Sequence, residues 1–178
     1  MVRFYPVRDS ITETKVIERS ALLKNSQDDR DVIKFKTAST VNIYPLEIHD
    51  IKDKHTRTKS TLNIIFRSYS GLPICDIGLD DLVIYLGDSF AKASDLYLWL
   101  LEYVEDIKIL HDGKEVKIES CLFGALGFGD EESLLPYPGG SFSGYRILQE
   151  YFSFQEKFLF LKLKNLGRYV KSVKSSEI

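Results

Sequence analysis

"PGGSFSGYRILQEYFSFQEKFLFL", residues 138–161, decides how this chain is to be read. It opens as a glycine-rich loop, passes into helical spacing and ends in an apolar run of strand character. Two readings compete: a phosphate cradle heading a helix, or a turn that delivers aromatic side chains to a packed surface. Gly139 and Gly144 have the spacing of the GxxxxG half of a P-loop, but Tyr145 and Arg146 follow. The lysine that reaches the outer phosphates and the hydroxyl that holds magnesium are both absent. The preceding residues 134–138 contain two prolines, which cannot donate to a sheet ladder, whereas a P-loop follows a buried strand. The glycines therefore read as turn residues. Arg146 and Glu150 stand one helical turn apart and are expected to pair.

Residues 145–152 read as a short helix, with Ile147, Leu148, Tyr151 and Phe152 as its apolar face and Ser143 as N-cap. Residues 157–163, "KFLFLKL", read as a strand. Full burial of Phe158, Leu159, Phe160, Leu161 and Leu163 is worth ~1.5–3 kcal/mol each, on the order of 10 kcal/mol gross. Left exposed, such a strand invites aggregation, so it belongs in a covered sheet or against a partner. Tyr137, Phe142, Tyr145, Tyr151, Phe152 and Phe154 crowd the same region. An aromatic cluster on an irregular loop suits either a core corner or a protein interface.

The rest of the chain supplies ordinary folding material. Its 178 residues are 44% apolar and 28% charged, a globular balance, and 11 Phe and 10 Tyr provide bulk for a core. A net charge of −2 gives no field that would gather nucleic acid. No apolar run approaches the ~20 residues of a membrane span, and the first ten residues lack a signal-peptide core. Cys75 and Cys121 lie far apart without CxxC spacing, which reads as reduced thiols in a cytosol.

Residues 32–48 read as two strands broken near Ala38–Thr40, with Tyr44-Pro45 at an edge. Residues 50–60, rich in basic side chains, read as a solvated loop. In "TLNIIFRSY", Leu62, Ile64 and Phe66 alternate, the period of a half-buried strand. Leu82–Leu86 is apolar on both faces, which predicts a strand covered on both sides. From Phe90 to Val104 the period becomes helical, with Asp88 or Ser89 as N-cap. Asp112-Gly113 between alternating runs predicts a hairpin with a type I′ turn. Residues 123–144 hold six of the eleven glycines and form a long irregular stretch. Residues 167–178 read as a tail that frays.

No constellation of catalytic groups emerges. "GALGFG", residues 124–129, reverses the order of a dinucleotide fingerprint. His49, His55 and His111 lie in separate segments without metal-ligand spacing. The acidic clusters Asp80-Asp81 and Asp130-Glu131-Glu132 fit solvated faces or caps better than a glycosidase pair. No GxSxG elbow occurs. The basic residues 52–59 lack the interleaved aromatics that stack on bases. The reading is thus no enzyme, no cofactor and no metal.

One resemblance gives a positive answer. The ungapped run Ser141-Phe142, Gly144-Tyr145-Arg146, Leu148-Gln149-Glu150-Tyr151-Phe152 and Glu156-Lys157-Phe158-Leu159-Phe160 resembles the signature segment of the TssF (ImpG, VasA) family. "KFKTASTVNIYPLEI" and "DIGLDDLVIYLGDSFAKASDLYLWLL" are similar to upstream pieces of that family in the same order. Gln155 departs from a proline common there, and residues 17–31 copy the family pattern weakly.

The resemblance implies a structural baseplate subunit of a bacterial type VI secretion system. Such a subunit assembles in the cytoplasm, on the inner-membrane side, with a TssG-like partner and other baseplate proteins. It implies no nucleic acid and no membrane insertion, and leaves self-association open. It also implies that 1–178 is one domain and an internal fragment of a longer protein, with its boundary over 1–30 left open. The fold expected is α+β, mainly β: an antiparallel sheet sandwich or distorted barrel with two short-to-medium helices. Tyr137, Phe142, Gly144, Tyr145, Arg146, Glu150, Tyr151, Phe152, Phe158 and Phe160 are the candidate core or interface residues. The alternative is a β-sandwich that binds a small ligand or carbohydrate, which exposed aromatics lining a concave face would favour.

Overall fold

The computed structural model describes residues 11–24, 34–87, 89–118, 123–135, 137–138, 140 and 142–178. Asp88, Cys121, Gly139 and residues 32–33, each used in the reading above, lie outside these. In chain order the strands are β1 (Lys15–Ile17), β2 (Leu22–Lys24), β3 (Lys34–Lys36), β4 (Val41–Ile43), β5 (Leu46–His55), β6 (Ser60–Ser68) and β7 (Leu82–Tyr85). Helix α1 (Phe90–Glu102) follows, then β8 (Lys108–His111), β9 (Lys114–Lys117) and β10 (Phe123–Ala125). Helix α2 (Ser143–Ser153), β11 (Phe160–Leu163) and the single-turn α3 (Gly167–Val170) complete the order.

Among the described residues the strands form five small antiparallel sheets: β1–β4, β2–β3, β5–β6, β8–β9 and β10–β11–β7. The α+β, mainly β architecture expected from sequence holds, but the sheets do not close into a barrel. Asp112 (φ 48°) and Gly113 (φ 71°) make the β8–β9 turn with both central residues left-handed, as a type I′ hairpin requires. The 3.6-residue spacing after Ser89 forms α1, and Ser89 is its N-cap.

The core gathers Ile74, Ile77, Leu79, Ile109, Ile118, Leu163, Leu166, Val170 and Val173 from distant parts of the chain. The apolar C-terminal run feeds it. β11 is the central strand of its sheet, flanked by β10 and β7, and its Leu161 is fully buried. Residues 157–159, expected as strand, instead form part of a 3-10 turn (Gln155–Leu159) that buries Lys157, Phe158 and Leu159 together.

Three further expectations are corrected. Strand β7 is not covered on both sides: it is an edge strand, and its Val83 is exposed. Residues 50–55 are not loop but the outer half of β5, paired with β6 up to His55↔Ser60. Lysine and aspartate are poor strand formers, so composition hid the strand; the ladder to β6 imposes it. Lys52 pairs with Asp50 (3.2 Å), and the His55 ring lies between Asp53 (2.8 Å) and Ser60 (2.9 Å).

The tail does not fray. Val173 is fully buried, and its carbonyl accepts from the Cys75 amide at 3.0 Å. Ile178 exchanges both backbone hydrogen bonds with Phe66 (2.8 and 3.0 Å), and Glu177 receives the Arg67 guanidinium at 2.7 Å. Its short polar residues carry no period, so only tertiary pairing orders it. Val173→Ala removes fully buried methyl groups and is expected to cost about 1–3 kcal/mol in urea unfolding. A cost under about 0.5 kcal/mol would return the tail to the status of a frayed end.

Candidate functional site

Helix α2 carries the signature segment, and the structure inverts the face assigned to it from sequence. Phe142 is the N-cap, and Ser143, expected there, is already helical. The side chains turned inward are charged: Arg146 is 2% exposed and Glu150 1%. Most apolar side chains turn outward: Phe152 is 84% exposed, Phe142 and Tyr145 each 71%, and Leu148 is exposed as well, whereas Ile147 of the expected face is half-buried. The helical periodicity holds. What fails is the premise that this apolar face is covered within these 178 residues.

The inward charges are held from several sides. One Glu150 oxygen, Oε1, accepts from the backbone amides of Leu134 (2.8 Å) and Leu135 (3.2 Å). The other, Oε2, receives the buried Lys157 ammonium and lies 3.5 Å from Arg146 Nη1. The expected Arg146–Glu150 pair is therefore present, though as a charge contact: among the described residues Nη1 and Nε make no hydrogen bond. Arg146 Nη2 donates to the Phe128 carbonyl (3.0 Å) and reaches Asp130 Oδ1 at 3.3 Å. Burial pushes the Glu150 carboxyl up, but the Lys157 hydrogen bond and the amides of Leu135 and Leu134 outweigh it. The group is held below the ordinary carboxylate range.

This cluster ties the irregular stretch before α2 to the helix. Gly127 approaches Lys157 so closely that a Cβ there would stand 3.2 Å from its carbonyl oxygen, and its φ of +99° suits glycine alone. Glu132 folds back to accept from the amides of Gly127 (2.7 Å) and Gly129 (3.0 Å). Arg19 reaches across to the carbonyls of Glu131 and Ser133, both at 3.0 Å. The long loop is thus pinned by side-chain charges on backbone groups. Spacing alone could not reveal Lys157, Glu132 or Arg19 in this role, because their partners include main-chain atoms or side chains brought together only by the fold.

The remaining candidates divide between core and surface. Phe158 is buried, with ring centroids 5.0 Å from Phe128 and 6.0 Å from Tyr151. Tyr151 touches Phe90 of α1 at 6.5 Å and Phe152 at 5.6 Å, so it connects the core to the outer face. Phe160 is half-buried against Tyr85 at 4.8 Å. Tyr137 is half-buried, and its enclosed hydroxyl has no hydrogen-bond partner among the described residues. Gly144 lets the Phe142 ring lie against the helix; a Cβ there would come within 2.3 Å of that ring. Phe142 and Tyr145 meet edge to face at 5.7 Å.

Such an arrangement offers apolar surface on a rigid support, and among the described residues no three His, Cys, Asp or Glu side chains converge as metal ligands. Comparison with known proteins places the chain among components of bacterial type VI secretion systems: a family model described as "Type VI secretion system, TssF" matches residues 1–178. The chain belongs to the TssF family.

Type VI secretion system component TssF1 of Pseudomonas aeruginosa is 30% identical over 179 residues, covering 91% of this chain and 29% of that protein. The chain thus spans less than a third of that relative's length. A chain in a cryo-electron microscopy structure of the TssK-TssF-TssG baseplate subcomplex matches with a TM-score of 0.79 at 23% identity. That match covers 97% of this chain and 33% of the other, and it supports the fold.

Glu150→Gln leaves Lys157 and Arg146 buried without their counter-charge and is expected to cost about 3–5 kcal/mol. The folded Glu150 carboxyl titrates below its unfolded value, so its contribution is complete above the ordinary carboxylate range. That contribution is lost as pH falls through the lower folded value. The stability difference between wild type and Glu150→Gln should therefore shrink on acidification, as measured by urea titrations across pH. A gap that stays constant to the most acid pH would remove Glu150 from its role as anchor.

Proposed function

We propose that this chain is a region of a structural baseplate subunit of a type VI secretion system. It works by burying surface against other subunits and performs no bond chemistry. The observation that carries this reading is the orientation of α2: its charges face inward and its aromatics face outward. An exposed row of Phe142, Tyr145, Leu148 and Phe152 is costly in water unless further polypeptide covers it, and that cover is here assigned to another subunit. Phe and Tyr supply large contact area at low entropy cost, which is why interfaces are enriched in them. The TssF1 relative is a secretion-system component, and a chain of the TssK-TssF-TssG baseplate subcomplex shares this fold. Both agree with an assembly role, with a TssG-like subunit as partner.

Among the described residues no helix is long and apolar enough to cross a membrane. The aromatics stand on one outer helix face, which suits a protein contact better than a ligand-binding sandwich.

Full-length TssF chains carrying Tyr145→Ala or Phe152→Ala test the reading by titration against TssG. Each exposed substitution should leave folding stability within about 0.5 kcal/mol. Binding should weaken by roughly tenfold or more if these rings sit at the centre of the contact. Undiminished affinity in both variants would assign the partner surface elsewhere.

A further inference from the structure

The β5–β6 hairpin has one apolar face, and a bulge makes it continuous. In an unbroken strand, positions three apart point to opposite sides. The register shifts between Ile48 and Asp50, so Ile48 opposes Phe66 and Ile51 opposes Ile64. Paired residues share a face, so both isoleucines join Phe66, Ile64 and Leu62 on one side. That face starts at Leu46, which packs on the core, and runs outward into solvent: Ile48, Ile51 and Leu62 are exposed, Ile51 by 55%. Asp53, opposite Leu62, is the polar residue at the outer end of that face; the other side holds Asp50, Lys52, Lys54, Thr61 and Asn63, with Ile65 opposite Asp50 as its apolar exception.

The outer edge of β6 is partly used. Phe66 exchanges hydrogen bonds with Ile178, and the Ser68 amide donates to Ser176, so an extended segment already runs antiparallel along the inner end of this edge. Backbone groups alternate in direction along a strand. The amides and carbonyls of Ile64 and Leu62 therefore point to the same side as those of Phe66, and among the described residues no hydrogen bond meets them there. An unpaired edge beside an uncovered apolar face is a template for a further strand.

We propose that this edge accepts a third strand from TssF polypeptide outside these 178 residues, continuing the pairing that Ser176 and Ile178 begin. The chain covers 29% of the TssF1 relative, so the protein family has polypeptide to supply it. The register is fixed by the existing pair. A residue two places beyond Ile178 meets Ile64, and one four places beyond meets Leu62. Those two positions share the apolar face and are expected to be apolar, with polar residues between them. The strand turns a two-stranded ribbon into a three-stranded sheet, the smallest size that holds together without other support. This inference does not depend on the partner reading of α2.

The test uses a full-length TssF chain alone. Amide exchange at Leu62 and Ile64 should be on the order of a hundredfold slower than at the turn residues Arg57 and Thr58. A photo-crosslinking residue replacing Leu62 should give an intramolecular cross-link to a peptide outside the 178 residues. Exchange as fast as in the turn would overturn the proposal. So would a cross-link formed only on adding a second protein, which assigns the strand to a partner.

Discussion

Glu150 divides its two carboxylate oxygens between a pair of backbone amides and a buried ammonium, and the orientation of α2 follows from that division. A helix with apolar residues on one side normally turns that side to the core. Here the side bearing Arg146 and Glu150 meets the Phe128 carbonyl, the Leu134 and Leu135 amides and the buried Lys157, with the exposed Asp130 as a further partner of Arg146. Rotating α2 to bury Phe152 and Tyr145 would leave Lys157 and those amides without partners in a low-dielectric interior. Each stranded polar group costs about 1–3 kcal/mol, and a stranded charge costs more. Buried ion clusters are weak sources of stability, since well-packed apolar residues often replace them at no loss. Their use here is selection among rotations of the helix.

The same cluster accounts for the irregular stretch before α2. Residues 126–135 carry little regular structure of their own, and their backbone groups need partners. Glu132 and Glu150 take amides, and Arg146 and Arg19 take carbonyls. Charged side chains do for this loop what a ladder does for a strand. The loop, α2 and the 3-10 turn behind it become one support, and the aromatics stand on it. Tyr151 joins that outer surface to Phe158 and thereby to the buried rings.

Local chemistry is legible in the sequence wherever neighbours in the chain determine it. Asp112-Gly113 announces its turn, because few other residue pairs accept left-handed geometry at both positions. The helical period after Ser89 forms α1. Gly144, expected as a turn residue, is instead helical, and what requires glycine there is the Phe142 ring lying against it. What depends on distant partners is not legible. The strand over 50–55 is imposed by β6, the ordered tail by Phe66 and Cys75, and the inverted face of α2 by Lys157 and the 134–135 amides. Hydrophobic pattern marks the face to be covered; it does not say whether the cover comes from the same chain.

Hydroxyl-radical footprinting of a full-length TssF chain, free and then bound to TssG, measures the central claim directly. The account predicts heavy oxidation of Phe142, Tyr145 and Phe152 in the free protein, weak oxidation of Phe158, and loss of labelling at the first three on binding. Rings of α2 that resist oxidation in the free protein, or that label equally in both states, would contradict it.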